Sequence, residues 1–234
     1  MDLVLQASVG GFFALRTTPV PGGGHRPLER LYAGGNGPLA ARVDKVAARL
    51  AAPERRVAAS IAHLGLAARL WSVALGPAAL FGRIPALPPA ALHWDPSSTS
   101  PEDLWLSEVT ELPGTAARIR EEVQYGHLAP LAEAFRRDGN ISPRLLWGNA
   151  GSALAGAVRE LVAYARAQDR PDVAARARAL AAELFDDGAL SGTGAPHGPA
   201  FRRRSCCLYW RCPGGGLCGD CVFDRPPGPA RAQP

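Results

Sequence analysis

The chain carries a single lysine, Lys45, and no cysteine at all ahead of Cys206. Arginine therefore supplies almost all of the positive charge. Together with alanine it dominates the composition, so the arginine count by itself says little about function. No G-K-[ST] or G-x-G-x-x-G frame is present, and the glycines at 21–24 and 34–37 read as loop rather than as a phosphate cradle. His25, His93, His127 and His197 show no i,i+4 or close spacing, which gives no sign of a histidine-based metal site. His63 lies beside an apolar helical face and reads as a packed core residue. The start, Met1–Leu15, has no basic region, carries Asp2 and is broken by Gly10–Gly11, unlike a signal peptide. The most apolar stretch, 57–81, is interrupted by His63, Arg69 and Pro77, which argues against a membrane-spanning helix. The expectation is a cytoplasmic protein whose thiols stay reduced.

What is present is the composition of a folded domain, with 47% apolar and 20% charged residues. Helical periodicity starts at Pro38, with Leu39, Val43, Val46 and Leu50 on one face. Pro53 opens a second helix carrying Val57, Ile61, Leu64 and Ala68, and Gly76–Pro77 is expected to end it. A third helical stretch spans 115–138, with Pro130 expected to kink or divide it. The longest pattern spans 142–168, with Ser142 as N-cap and Pro143 in the first helical position. A last helix runs over 171–187 with Gly188 at its end. Leu92–Trp94 and Leu104–Val109 can pair as a small β-hairpin. Residues 1–37 read as a partly extended arm packing through Phe12, Phe13 and Leu15, and 188–200 as a Gly/Pro linker. The fold class is mainly α: a helical domain over 1–200, a cysteine-rich segment over 201–225 and a disordered tail over 226–234.

All five cysteines, Cys206, Cys207, Cys212, Cys218 and Cys221, sit in that segment. An odd number clustered in a reducing compartment points to a metal site rather than disulfides. Cys218-Gly219-Asp220-Cys221 is a C-x2-C turn whose thiolates can converge on one ion, a half-site common to zinc and iron–sulfur centres. The other half is an adjacent pair, which converges only through a turn because neighbouring extended residues face opposite ways. A four-thiolate zinc site and a [2Fe–2S] cluster both remain open on spacing, and the adjacent pair favours the cluster. Residues 201–234 also hold six arginines against Asp220 and Asp224. A basic run next to cysteines suits an anionic centre, and Arg202, Arg203, Arg204 and Arg211 flank it; the competing reading is a solvated basic patch for nucleic acid or a partner protein.

The stretch Arg203-Arg204-Ser205-Cys206-Cys207-Leu208-Tyr209, followed by Pro213-Gly214-Gly215-Gly216-Leu217-Cys218-Gly219-Asp220-Cys221, resembles the C-terminal signature of FhuF-like ferric siderophore reductases. Leu146-Trp147-Gly148-Asn149-Ala150 is similar to that family's Trp-Gly-Asn helix. Residues 57–65 and 9–13 also resemble it. The resemblance implies a [2Fe–2S] cluster held by Cys206, Cys207, Cys218 and Cys221 in a C-C-x10-C-x2-C arrangement; Arg203, Arg204 and Arg211 are expected to tune the cluster or bind substrate. The role given to these arginines follows from their charge beside an anionic centre, while the resemblance implies reduction of a ferric siderophore, with the cluster as the reactive group and no further catalytic residue. The expected donor is a ferredoxin, flavodoxin or flavin reductase, with no nucleic acid and at most peripheral membrane association. Cys212 departs from the family pattern and is expected to be a buried thiol. Asn149 either fixes helix packing or helps frame the cluster pocket; packing is the expectation, since nothing in the sequence places it near the cysteines. A non-reducing siderophore-binding protein is the remaining alternative.

Overall fold

The computed structural model describes residues 1–19, 22, 24–34, 36–186, 188–197 and 200–227, and its architecture is mainly helical. The tail expected over 226–234 lies outside the described residues from 228 onward. In chain order the elements are α1 (Leu3–Ala7), β1 (Arg26–Pro27), α2 (Leu28–Tyr32), α3 (Asn36–Leu50) and α4 (Arg55–Phe81). There follow β2 (Arg83–Pro85), β3 (Leu92–Trp94), β4 (Leu104–Leu106), β5 (Glu111–Pro113), α5 (Ala116–Ile119) and α6 (Ala129–Asp138). The chain continues with α7 (Pro143–Ala167), α8 (Pro171–Phe185), β6 (Gly194–His197) and β7 (Ala200–Arg203).

The centre of the molecule is α4, apolar on all sides and accordingly buried on all sides: Val57, Leu70, Trp71, Val73 and Leu75 are fully enclosed. It is long and apolar enough to cross a membrane by length and composition, yet 78% of its most apolar window is buried inside the protein. Helix α7 packs along it and α8 along α7. Ala150, Ala153 and Ala157 of α7 are buried there, small enough to let the helices approach closely. The contact is pinned by a polar bond, Trp71 Nε1–H to the Ala150 carbonyl at 3.0 Å.

Helix α4 does not stop at Gly76–Pro77 as its composition suggests. It runs to Phe81 and ends at Gly82, whose φ of 70° is the left-handed C-cap conformation. Gly76 has a packing role instead: a Cβ there would lie 2.7 Å from the Phe13 ring. Pro77 removes one helix donor, and the burial of Ala78, Ala79 and Leu80 holds the last turn in place.

The arm ahead of α2 is partly helical rather than extended, with α1 and a 3-10 turn at Gly11–Phe13. Buried Arg69 of α4 fastens it by donating to the carbonyls of Gly11 (3.1 Å), Phe12 and Ala14 (2.8 Å). Asp103 is the ion-pair partner of Arg69 at 2.8 Å.

Strands β3 and β4 form the expected hairpin, Leu92 opposite Leu106 and Trp94 opposite Leu104, and β1 adds to its edge. Strands β2 and β5 pair separately. Between α5 and α6 the chain keeps coiling as a π-helical stretch, Arg120–Leu128, so Pro130 falls in the first turn of α6 and marks a change of register rather than a break. Thr115 caps α5, its Oγ1 accepting from Arg118 N at 3.2 Å. Ser142 sits at the cap of α7 without a side-chain cap bond; Pro143 supplies the preset φ of the first turn. The segment read as a linker over 188–200 contains β6, which pairs with β7 in antiparallel register, Gly194 opposite Arg203. That hairpin delivers the chain into the cysteine segment.

Candidate metal centre

Strand β7 ends at Arg203, and the next residues carry the first cysteines. Arg203 N donates to the Asp220 carbonyl at 3.0 Å, which draws the two ends of the cysteine segment together at its base. Leu208, a non-glycine residue with φ of 70°, supplies the turn that the adjacent pair requires. A 3-10 turn follows at Tyr209–Arg211. Gly215 then tucks under it: a Cβ there would lie 2.3 Å from the Tyr209 carbonyl, so only glycine lets the strand pass.

The sulfurs lie as this path dictates. Cys207 Sγ and Cys218 Sγ are 3.5 Å apart. Two thiolates on one tetrahedral metal with bonds of about 2.3 Å sit roughly 3.8 Å apart, so this pair is close to sharing an ion. Leu208 N–H points at Cys206 Sγ (3.2 Å), and Phe223 N–H at Cys221 Sγ (3.5 Å). All five thiols are free. The Cys207–Cys218 hydrogen bond pushes the pKa of the Cys207 thiol down and that of Cys218 up, because one thiolate is stabilised by its neighbour's proton and a second is opposed by the first; nearby Arg203 favours both anions. Burial pushes the Cys206 and Cys212 thiols up. Among the described residues no three His, Cys, Asp or Glu side chains converge as ligands of one ion.

A chain of buried polar groups ties this segment to the helical core. Asn149 of α7 donates to the Ser60 carbonyl at 2.8 Å, and Ser60 Oγ of α4 donates to the Cys207 carbonyl at 2.8 Å. Arg203, 2% exposed, donates through Nη2 to Asn149 Oδ1 at 2.6 Å. The Trp-Gly-Asn stretch thus meets both α4 and the cysteine segment: Asn149 makes a helix-packing bond to Ser60 and also holds Arg203, so both readings of this residue apply. Local periodicity could not reveal this, because Ser60 and Cys207 are 147 positions apart. Gly148 belongs to the same contact. A Cβ there would lie 2.0 Å from Ser205 Oγ and 3.3 Å from Arg203 Nη2.

The C-x2-C turn has its own anchor, which the sequence reading missed. Asp220 is 5% exposed; it accepts from Ser152 Oγ (2.5 Å) and from Arg159 Nη1 (2.9 Å), both on α7.

The arginines named from sequence separate. Arg203 is buried beside the cysteines. Arg211 reaches back to Glu54 ahead of α4 and lies 5.3 Å from the Trp210 ring. Arg204 is exposed, with Nη1 3.5 Å from the Gly192 carbonyl, on the β6–β7 side of the segment. Arg202 pairs with Asp224 at 2.8 Å. His63 is buried against Phe135, its pKa pushed down to about 3 chiefly by burial, with a contribution from Arg203, so it is a neutral core imidazole.

The fit to a bound anion rests on donors without acceptors. Arg203 Nε and Nη1 and Ser205 Oγ are buried and have no partner. Leaving such groups unpaired costs about 1–3 kcal/mol each. Sulfide and thiolate sulfurs beside Cys207 and Cys218 would supply the missing acceptors, so the residues present suit an iron–sulfur centre.

Residues 78–191 match the family model described as "Ferric iron reductase FhuF-like transporter", and residues 203–223 match the "FhuF 2Fe-2S C-terminal domain". The chain belongs to the FhuF-like ferric iron reductase family. Its cofactor is a [2Fe–2S] cluster, which displaces the zinc-module alternative. A comparison with curated proteins gave no match. The first FhuF match takes in the last turn of α4, strands β2–β5 and helices α5–α8, and the second begins at Arg203, the residue where the helical core and the cysteine segment are joined.

Proposed function

We propose that the protein is a cytoplasmic reductase of ferric siderophores, and that Cys206, Cys207, Cys218 and Cys221 hold its [2Fe–2S] cluster. When bound, the cluster supplies one electron to chelated Fe(III), which leaves as Fe(II), and it is recharged by a ferredoxin, flavodoxin or flavin reductase. The observation that carries this reading is the buried Arg203 guanidinium with two unpartnered nitrogens, Nε and Nη1, near Cys207 and Cys218. A cluster of this kind is a dianion when oxidised and gains a further negative charge on reduction. A buried cation and N–H groups directed at sulfur favour the more negative form.

In this reading Arg203 offers its free donors to the sulfurs, while Asn149 fixes the guanidinium. The Leu208 and Phe223 amides hold the Cys206 and Cys221 sulfurs. Cys207 and Cys218, 3.5 Å apart, would hold one iron, and Cys206 and Cys221 would be left for the other. Arg159 neutralises Asp220, so that carboxylate adds no uncompensated charge beside the site. Cys212 stays outside the ligand set as a buried thiol. The helical body over 1–200 serves as platform and the segment over 201–225 as cluster holder.

An anaerobic assay with a flavin reductase as donor, a ferric siderophore and an Fe(II) trap tests the reading. The parent protein should accelerate Fe(II) formation, and Cys218→Ser should remove the acceleration. A colourless protein carrying one zinc after cluster reconstitution would refute it.

A further inference from the structure

A groove of about 430 Å³ opens between α4 and α7 and is used by nothing described so far. Leu64 and Ala68 of α4 and Gly156 of α7 line it, Phe12 of the arm stands over it, and Cys218 and Asp220 form one wall. Its size lies within the range of about 300–1,000 Å³ typical of small-molecule sites. A second cavity beside the cysteine segment, about 250 Å³ next to Trp147, Arg204 and Ser205, is not lined by a cysteine.

Three features say what the groove would hold. It is concave and lined mainly by apolar and small side chains, whereas a protein partner needs roughly 800 Å² of surface from each side. Phe12 is 44% exposed while Phe13 beside it is 1% exposed, so the arm is fastened by one ring and leaves the other free to meet a ligand. The charges at the groove are nearly balanced. Arg159 pairs with Asp220 at 2.9 Å, leaving the exposed Glu160 as the remaining carboxylate.

We infer that the ferric chelate docks in this groove, its apolar body on Phe12, Leu64, Ala68 and Gly156 and its iron end toward Cys218. This rests on the reductase reading and assigns the place where that reaction happens. The electron then leaves through the wall that contains a cluster ligand, without the chelate entering the helical core.

Calorimetric titration of the oxidised holoprotein with gallium(III) complexes of a trihydroxamate and of a tricatecholate chelator tests the inference, since gallium binds like Fe(III) and accepts no electron. Gly156→Leu fills the groove from a helical position whose Cβ meets only Arg159 Nη2, at 3.7 Å. Phe12→Ala removes the exposed ring. The expected result is binding of at least one complex by the parent, weakened tenfold or more by Gly156→Leu and at least threefold by Phe12→Ala, with iron content and visible spectrum unchanged. Full affinity in either variant overturns the inference. Absence of gallium-chelate binding by the parent, while ferric chelates still oxidise the reduced protein, also overturns it and leaves the reductase reading standing. Failure of ferric chelates to oxidise the reduced protein removes that reading and this one together.

Discussion

Arg203 Nη2 donates to Asn149 Oδ1 at 2.6 Å inside the protein, and this bond joins the last strand before the cysteines to the second turn of α7. On one side Asn149 continues through Ser60 to the Cys207 carbonyl. On the other, the remaining guanidinium donors face no protein acceptor. One buried cation thus has a structural edge and an unpartnered edge, which the proposed function assigns to the cluster.

Replacing Arg203 by methionine keeps much of its volume and removes its charge. The reduced cluster loses a compensating cation, so its potential should fall by ~60 mV or more, a tenfold change in a one-electron equilibrium. An EPR-monitored redox titration measures this. An unchanged midpoint would mean that Arg203 only fills space.

Asn149→Leu should destabilise the protein by about 1–3 kcal/mol, because it strands a buried guanidinium donor. Urea denaturation gives the loss, and iron released on gel filtration reports whether the Cys207 arm has loosened. Asn149→Asp, which keeps the acceptor for Arg203, should retain more iron than the leucine variant.

Two glycines of α7 should respond with opposite signs. Alanine is favoured over glycine in a helix interior by about 1 kcal/mol. Gly156→Ala should therefore be neutral or stabilising, since only Arg159 Nη2 lies near the added methyl. Gly148→Ala should lose iron and stability, since its methyl would fall 2.0 Å from Ser205 Oγ and push the cysteine segment away. Melting temperature and iron content of the two variants make the comparison.

Much of the helical frame was legible because its signals are local. Pro143 marks the start of α7, the apolar stripes mark the buried faces, and the turn-bounded runs at Leu92–Trp94 and Leu104–Val109 mark the hairpin, whose second strand ends earlier, at Leu106. The cysteine spacing pointed to the cofactor for the same reason. What local pattern cannot carry is a partner far along the chain. Gly76 looked like a helix end because its Phe13 partner lies in the arm, and Asn149 looked like packing because Ser60 and Arg203 lie on other elements. Asp220 appeared as one acid among basic residues until Ser152 and Arg159 were seen around it. The β6–β7 hairpin was hidden by glycine and proline, which in sequence signal a linker.

His127 gives a pH dependence separate from the cluster. It is buried, its Nε2–H directed at the Leu87 carbonyl (2.6 Å) and its Nδ1 at the Tyr32 hydroxyl (2.8 Å). Burial pushes its pKa down to about 4 from 6.5, against the opposing effect of the Leu87 bond. Below pH 6.5 the unfolded chain takes up a proton that the folded protein refuses. The neutral imidazole therefore costs nothing above that pH, and stability falls between pH 6.5 and 4 by about 3 kcal/mol. Urea curves of the parent and His127→Gln at pH 7.5 and 5 should converge as the pH falls. A constant gap between them would contradict the assignment.

The ligand set has a spectroscopic consequence. Cys212→Val should keep iron content and the EPR signal, while Cys207→Ser should alter both. Serine at 207 or 218 should perturb the same iron in Mössbauer spectra, and serine at 206 or 221 the other, because the Cys207 and Cys218 sulfurs lie 3.5 Å apart. A division into 206 with 207 and 218 with 221 would contradict the pairing.

The central claim is transfer of one electron from this protein to a chelated ferric ion. Stopped-flow mixing of the reduced holoprotein, freed of excess reductant, with a panel of ferric siderophores and an Fe(II) trap measures it directly. The account predicts return of the oxidised visible spectrum together with one trapped Fe(II) for each cluster oxidised. Reoxidation no faster with any siderophore than with the iron-free chelator, and no Fe(II) in the trap, would contradict it.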